Sequence, residues 1–429
     1  MQRRSFHQVM GALPVAWVAG CGGGDTSPPS NQYRLTNLVA DNASASKVMP
    51  AMSGVSKPDE FINAWGIAIR PAGAGGHFWV TAGKYSYQFV GDVSTSSDPA
   101  LRALHQDGLR LVEIPGIADV GFSTGTVFNG AAIDSNKFWV SNQTAQADGK
   151  TVSLSGSARF LFATDTGVIS GWTERNPASL STPVRVDGPA VAMVDDSANQ
   201  AAFFGIAIRP DNWSTLWAAD FGANPRLRQY NDQWQEVPLQ GFANPYATGM
   251  NGVARPGDYV PFNVQVLSVG AVPRVFVAYA KSQADPDNPG QFLAGEEDAL
   301  TTEQEGATPD RGKVVMFSLD GVLLTTFDDR RLNAPWGLAI APSNFGALSN
   351  MLLVGNFGGS GRIAAYHLGS GRFVDWLADA DKKPVAIPGL WGLQFGNGAS
   401  LGDANALYFA AGPGDETQGL FGSLRPINT

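Results

Sequence analysis

Asn63-Ala-Trp-Gly-Ile-Ala-Ile-Arg-Pro71 decides the fold, because the chain keeps returning to it. Phe204-Gly-Ile-Ala-Ile-Arg-Pro210 and Asn333-Ala-Pro-Trp-Gly-Leu-Ala-Ile-Ala-Pro342 repeat it closely. Phe128-Asn-Gly-Ala-Ala-Ile-Asp134, Phe262-Asn-Val-Gln265 and Leu390-Trp-Gly-Leu-Gln-Phe395 repeat it in part. Each copy joins a tight turn to a short apolar run, and a unit that cannot bury both faces alone must stack on its neighbours. Six such units predict an all-β, six-bladed β-propeller.

A second apolar run follows each copy, and these are read as second strands: Phe78–Thr81, Phe138–Ser141, Leu216–Ala219, Val275–Tyr279, Leu352–Gly355 and Leu407–Ala410. Third and fourth strands are clearest after Gly312, where Asp320-Gly321 between two apolar runs is a strong hairpin signal. A ring must also close. The last unit offers only Gly419–Leu424 after its second strand, so Tyr33–Ala40, which has strand composition, is expected to complete the final blade and remove an open edge. The units are 55 to 75 residues apart, longer than the roughly 40–50 of compact blades, so connecting loops hold the excess.

The first twenty residues read as an export signal: Arg3 and Arg4, an apolar stretch from Val9 to Ala19, then Val18-Ala-Gly-Cys21. The last of these resembles a bacterial lipobox, which implies a lipid on Cys21, and Arg3-Arg4-Ser-Phe6 resembles a twin-arginine signal. The apolar stretch is too short for a permanent membrane span. Domains follow as signal 1–20, lipidated flexible tether 21–32 and a single propeller domain 33–429. Gly22 and Gly23 lack the aspartate that resembles an inner-membrane retention signal, so the outer membrane of the envelope is expected.

Cys21 is the only cysteine, which excludes disulfides, a thiolate nucleophile and cysteine-bound zinc from the rest of the chain. Net charge is −9, and loss of Arg3 and Arg4 with the signal takes it to −11. An acidic surface argues against nucleic acid or anionic headgroups as partners.

Several phrases together, Leu35–Ala40, Asn63-Ala-Trp-Gly66, Phe160–Trp172, Pro261–Gln265 and Gly414-Asp-Glu…Gly419-Leu-Phe-Gly422, carry a family likeness. They resemble an uncharacterised family of exported bacterial six-bladed propellers, similar in appearance to NHL-type and gluconolactonase-like propellers. The resemblance implies the fold and carries over no catalytic residue.

Two constellations are candidate sites. Asp285, Asp287 and Glu296 fall at positions 1, 3 and 12 of a calcium-loop template, with Gly290 at position 6 but Pro289 where Asp or Asn belongs. The alternative is a solvated acidic loop. Asn63, Asn129, Asn263 and Asn333 each stand before an expected inner strand, where they would meet at one channel mouth to hold calcium or a polar ligand; the alternative is turn residues bonding their own backbone. Gly398-Ala-Ser-Leu-Gly402 spells a nucleophile elbow but lies between strands rather than before a helix. His77, His105 and His367 are too scattered for a base or metal cluster. The expected function is a lipid-anchored envelope module, a monomer binding a polysaccharide, peptide or protein without catalysis. The alternative is a metal-dependent hydrolase or lactonase using the channel; a redox propeller stands third.

Overall fold

The computed structural model describes residues 29–41, 55–118, 120–147, 149–174, 188–302 and 308–427. Six antiparallel sheets form six blades. Blade 1 runs outward through Ile67–Ala68, Phe78–Ala82, Tyr85–Phe89 and Leu111–Glu113. Blade 2 uses Ser123–Phe128, Phe160–Thr164, Val168–Trp172 and Val191–Asp195, and blade 3 uses Phe203–Ile208, Thr215–Asp220, Arg226–Asn231 and Glu236–Val237. Blade 4 uses Tyr259–Val269, Val272–Ala284, Gly312–Phe317 and Leu323–Phe327, with Phe292–Glu297 folded back onto the end of its second strand. Blade 5 uses Pro335–Ile340, Leu352–Asn356, Ile363–Tyr366 and Phe373–Trp376. Blade 6 has Leu390–Phe395, Leu407–Ala411 and Leu420–Pro426, closed on its outside by Tyr33–Ala40. That last pairing is antiparallel from Tyr33 opposite Pro426 to Ala40 opposite Leu420, as the expected ring closure requires.

The strands are apolar on both sides because blades press on both faces. In Thr215–Asp220, Leu216 and Ala218 pack toward blade 2 while Trp217 and Ala219 pack toward blade 4, the period-2 alternation of a strand. Six buried clusters sit one at each blade interface. The interface between blades 1 and 2 is aromatic: Trp79 stacks on Phe160 at 4.0 Å between ring centroids and touches Trp172 at 4.9 Å.

Glycine sets how closely the inner strands approach. A Cβ on Gly66 would lie 2.5 Å from the Thr124 carbonyl oxygen of blade 2, and one on Gly125 would lie 2.8 Å from the Ile206 nitrogen of blade 3. Gly205 meets Asn263 of blade 4, Gly337 meets the Trp391 oxygen of blade 6 at 2.3 Å, and Gly392 meets the Trp65 oxygen of blade 1 at 2.4 Å. Blade 4 has Asn263 at this level, and its Nδ2 donates to the Trp336 oxygen of blade 5 at 2.7 Å. The ring therefore closes through five backbone approaches and one side-chain strut.

Two details differ from the sequence reading. In blade 2 the inner strand precedes Asn129 rather than following it, and the ring glycine is Gly125. Phe138–Ser141 is not a blade strand: Trp139–Ala147 pairs with Lys150–Ser157 in a separate hairpin inserted between the first two strands of the blade. Phe-Asn-Gly imitates the repeat, but only Ser123–Phe128 carries a glycine where blade 3 demands one. The end of the expected tether is also bound to blade 5. Asn31 Nδ2 donates to Asp375 and to the Trp376 oxygen, Gln32 Nε2 donates to the Ala380 oxygen, and Ser30 accepts from Ala347. Residues 1–28, with Cys21 and the export signal, lie outside the described residues.

Candidate functional site

One mouth of the channel is filled by aromatic rings. The residue before each ring position is Trp65, Phe204, Phe262, Trp336 and Trp391 in five blades and Thr124 in blade 2. Those five aromatics are all nine-tenths buried or more and form one axial cluster. Trp65 stacks on Trp391 at 3.7 Å, Phe204 meets Trp65 at 5.2 Å, and Phe262 meets Trp391 at 5.8 Å. Phe357 extends the stack outward, 4.0 Å from Trp391. Burying such large rings is the strongest apolar term this chain has at its axis.

Above the plug lies a pocket of about 420 Å³, walled by Glu296 and Glu297 of the blade 4 insertion, by Asp415 and Glu416 of blade 6, and by Phe357. The insertion is held there by its own hydrogen bonds. Gly295 N donates to the Phe221 oxygen, and the Asn333 amide grips Leu300 at both ends, Nδ2 to its oxygen at 2.8 Å and Oδ1 from its nitrogen at 3.0 Å. Opposite, Gly414, Asp415 and Glu416 all have positive φ (69°, 58° and 60°). Left-handed backbone is costly for residues with a Cβ and normally occurs singly, so this loop stores strain while presenting two carboxylates.

Two of these carboxylates, Glu297 and Glu416, have raised proton affinity. Burial, with repulsion from Glu416 and Glu296, pushes Glu297 up to about 8. Glu416 is also raised, first by burial and then by Asp415 and Glu296, although Asn63 Nδ2 donates to its Oε1 at 2.8 Å. On the same face Asp165, in the turn between the second and third strands of blade 2, is pushed up to about 6 by burial while accepting from Phe122 N. No lysine or arginine lines the pocket itself.

The four asparagines are not gathered at this mouth as a set. Asn63, at φ 47°, accepts from Trp391 Nε1 at 2.8 Å and donates to Glu416, which links the plug to the pocket wall. Asn263 is the strut of the ring, and Asn333 anchors the insertion. Asn129 lies past the far end of its inner strand, where its amide bonds Ala158 and Ala131. All four are buried with their amides occupied.

The acidic loop is likewise arranged for itself. Asp285 Oδ1 accepts from Asp287 N and Asn288 N, and its Oδ2 accepts from Asn288 Nδ2; these bonds hold its carboxyl below the usual range. Among the described residues no three histidine, cysteine or carboxylate side chains converge as a metal ion requires, and Asp285, Asp287 and Glu296 are not such a group. Ser400 stands in a loop closed by Asn397 Oδ1, which accepts from Ala399, Ser400 and Leu401, with no helix following. His77 pairs with Asp107 at 2.8 Å, and no histidine lines the pocket.

Glu297, Asp415 and Glu416 were not singled out by sequence reasoning, although Gly414-Asp-Glu stood in the recurring phrases. The signal for Asp415 and Glu416 was their place after the second strand of the last blade, where a propeller loop reaches the axis.

No protein-family profile matches the chain. It is similar to two proteins of Acanthamoeba polyphaga mimivirus. "Uncharacterized protein L690" is 36% identical over 117 residues, 27% of this chain and 30% of that one. "Uncharacterized protein R640" is 25% identical over 238 residues, 55% and 38% respectively. The chain thus spans about a third of the length of each. Both are viral, and neither connects the chain to the bacterial NHL-type or gluconolactonase-like propellers that its motifs resemble. Among solved structures, the Neurospora crassa Pan2 WD40 domain aligns over 94% of this chain and 98% of its own, at 9% identity and a TM-score of 0.41. A COPII outer-coat vertex chain aligns over 86% and 85%, at 8% and 0.36. At those scores the likeness adds nothing to the six sheets described above.

Proposed function

We propose that the chain is a non-catalytic binding propeller, exported and lipid-anchored through Cys21, whose acidic mouth takes a basic segment of a partner protein. The supporting observation is the pocket of four carboxylates, two of them with raised proton affinity, over a sealed aromatic floor. A lysine or arginine entering there relieves repulsion that the free protein carries, so electrostatics favours a cation and sets its orientation. Phe357 on the floor adds an aromatic face for the same charge. A channel-based lactonase needs polar groups at the axis, where this chain puts five aromatic rings.

The test is binding of a lysine-rich peptide to the purified protein. Affinity should fall as salt is raised, since exposed charge is screened over about 10 Å at 0.1 M. Combining Glu297→Gln with Glu416→Gln should weaken binding about tenfold or more. Because binding a cation favours ionised Glu297, affinity should rise between about pH 6 and pH 9. Equal binding by the double variant would overturn the proposal. The anchor has a separate test: mass spectrometry should find a diacylglyceryl group on Cys21, and an unmodified Cys21 in mature protein would contradict it.

A further inference from the structure

The opposite mouth of the channel is open. A cavity of about 270 Å³ is lined by the far halves of the inner strands of blades 1, 2, 3, 4 and 6. No charged residue lines it, and Ile67, Val127, Ile206 and Leu267 are among its apolar lining.

Four polar residues interrupt that wall: Thr126, Gln265, Ser268 and Gln394. Two residues beyond the ring glycine, blades 1, 2, 3 and 5 carry Ala68, Val127, Ala207 and Ala339, whereas blades 4 and 6 carry Gln265 and Gln394. Gln265 Oε1 accepts from Leu338 N at 3.0 Å and from Asn263 Nδ2 at 3.3 Å, so the donor end of its amide is left for the cavity. Gln394 has the opposite arrangement: its Nε2 donates to the Phe395 oxygen at 3.0 Å, which leaves the acceptor end. The Thr126 hydroxyl, one residue nearer the plug, is enclosed and has no partner.

At the rim stands Trp213, whose φ of 55° is an outlier for an aromatic residue. Its ring packs on Gly130, where a Cβ would lie 2.5 Å from it, and on the core between blades 2 and 3, and its half-buried remainder lines the cavity.

We infer that this cavity binds a neutral sugar unit or cyclic polyol. The chemistry is a flat aromatic face for the C–H side of a ring, with one carboxamide donor and one carboxamide acceptor for its hydroxyls. Charged ligands are disfavoured by a wall without a counter-ion. At about 30 Å³ per water, the volume holds on the order of ten non-hydrogen atoms, the size of one monosaccharide. A single unit of that size binds with a dissociation constant on the order of 1 mM. The site is independent of the acidic mouth, which lies beyond the aromatic plug.

The experiment is saturation-transfer NMR on the full-length protein with D-glucose, D-mannose and myo-inositol, each at tens of millimolar, and with gluconate as the charged control. Transfer is expected to at least one neutral probe and not to gluconate. Gln394→Leu and Trp213→Ala should each reduce it about tenfold, with a cooperative melt and unchanged far-ultraviolet circular dichroism showing that the fold persists. Glu297→Gln at the other mouth should leave it intact, which separates this site from the proposed protein-binding face. Transfer to none of the neutral probes, transfer to gluconate as strong as to them, or transfer unaffected by both cavity variants would overturn the inference.

Discussion

The two ends of the channel are built from the same six inner strands and differ in what each strand places before and after its ring residue. Before it come Trp65, Phe204, Phe262, Trp336 and Trp391, which meet and seal the axis under four carboxylates. After it come Ile67, Thr126, Ile206 and, one residue further, Gln265 and Gln394, too small or too polar to meet, and the axis stays open. Side-chain volume at two adjacent levels thus turns one symmetric scaffold into a sealed, charged surface and an open, neutral cavity. The symmetry supplies stability, and the departures from it supply binding chemistry.

The largest expected effect of breaking that contrast is at the plug. Trp391→Ala removes a ring stacked on both Trp65 and Phe357 and the indole donor to Asn63, and should cost about 3–5 kcal/mol, read by chemical denaturation. Trp213→Ala at the open end removes an equal side chain that is only partly buried, so it should cost less, about 1–2 kcal/mol. Equal losses from the two would erase the distinction between the ends.

Between the mouths, Gly392→Ala forces a Cβ against the Trp65 carbonyl oxygen and should cost about 1–3 kcal/mol in the same measurement. Gly257→Ala is the converse case, a left-handed backbone at φ 89° with open space and no clash, and should cost less.

A smaller effect is a pH dependence confined to the acidic end. The folded state raises Glu297 from an ordinary value of 4.5 to about 8, so it favours the protonated form. Its contribution to stability is complete below about pH 4.5 and is lost as pH rises through 8. Melting temperature should therefore fall from pH 5 to pH 9, and Glu297→Gln should flatten the fall. The smallest effect belongs to the acidic loop: Asp285→Ala removes turn hydrogen bonds at an exposed site and should leave the melting temperature unchanged.

Much of the fold was legible because the ring geometry writes itself into the chain. A glycine is needed wherever a neighbouring backbone lies under 3 Å from a Cβ, and Gly66, Gly205, Gly337 and Gly392 stand at the same place in their phrases. Tyr33–Ala40 was legible as a strand without a sheet matched to a sheet without a strand. Blade 2 misled because Phe128-Asn-Gly130 copies the wording of the repeat while Gly125, the residue under steric demand, sits in a Ser-Thr-Gly-Thr run with no such wording. The site was less legible for a different reason. Glu297 and Glu416 are 119 positions apart in sequence and come from different blades, so only closure of the ring makes them neighbours. The asparagines drew attention by recurring, and they recur because turns and struts need amides.

The central claim is that the sealed acidic mouth, and not the open one, is where a basic partner docks. Hydrogen exchange on the full-length protein, with and without a saturating lysine-rich peptide, reads both ends at once. Slowed exchange in 292–301 and 412–418, with 206–213 and 265–268 unchanged, is the predicted result. Protection at 206–213 and 265–268 instead, or at neither end, would contradict it.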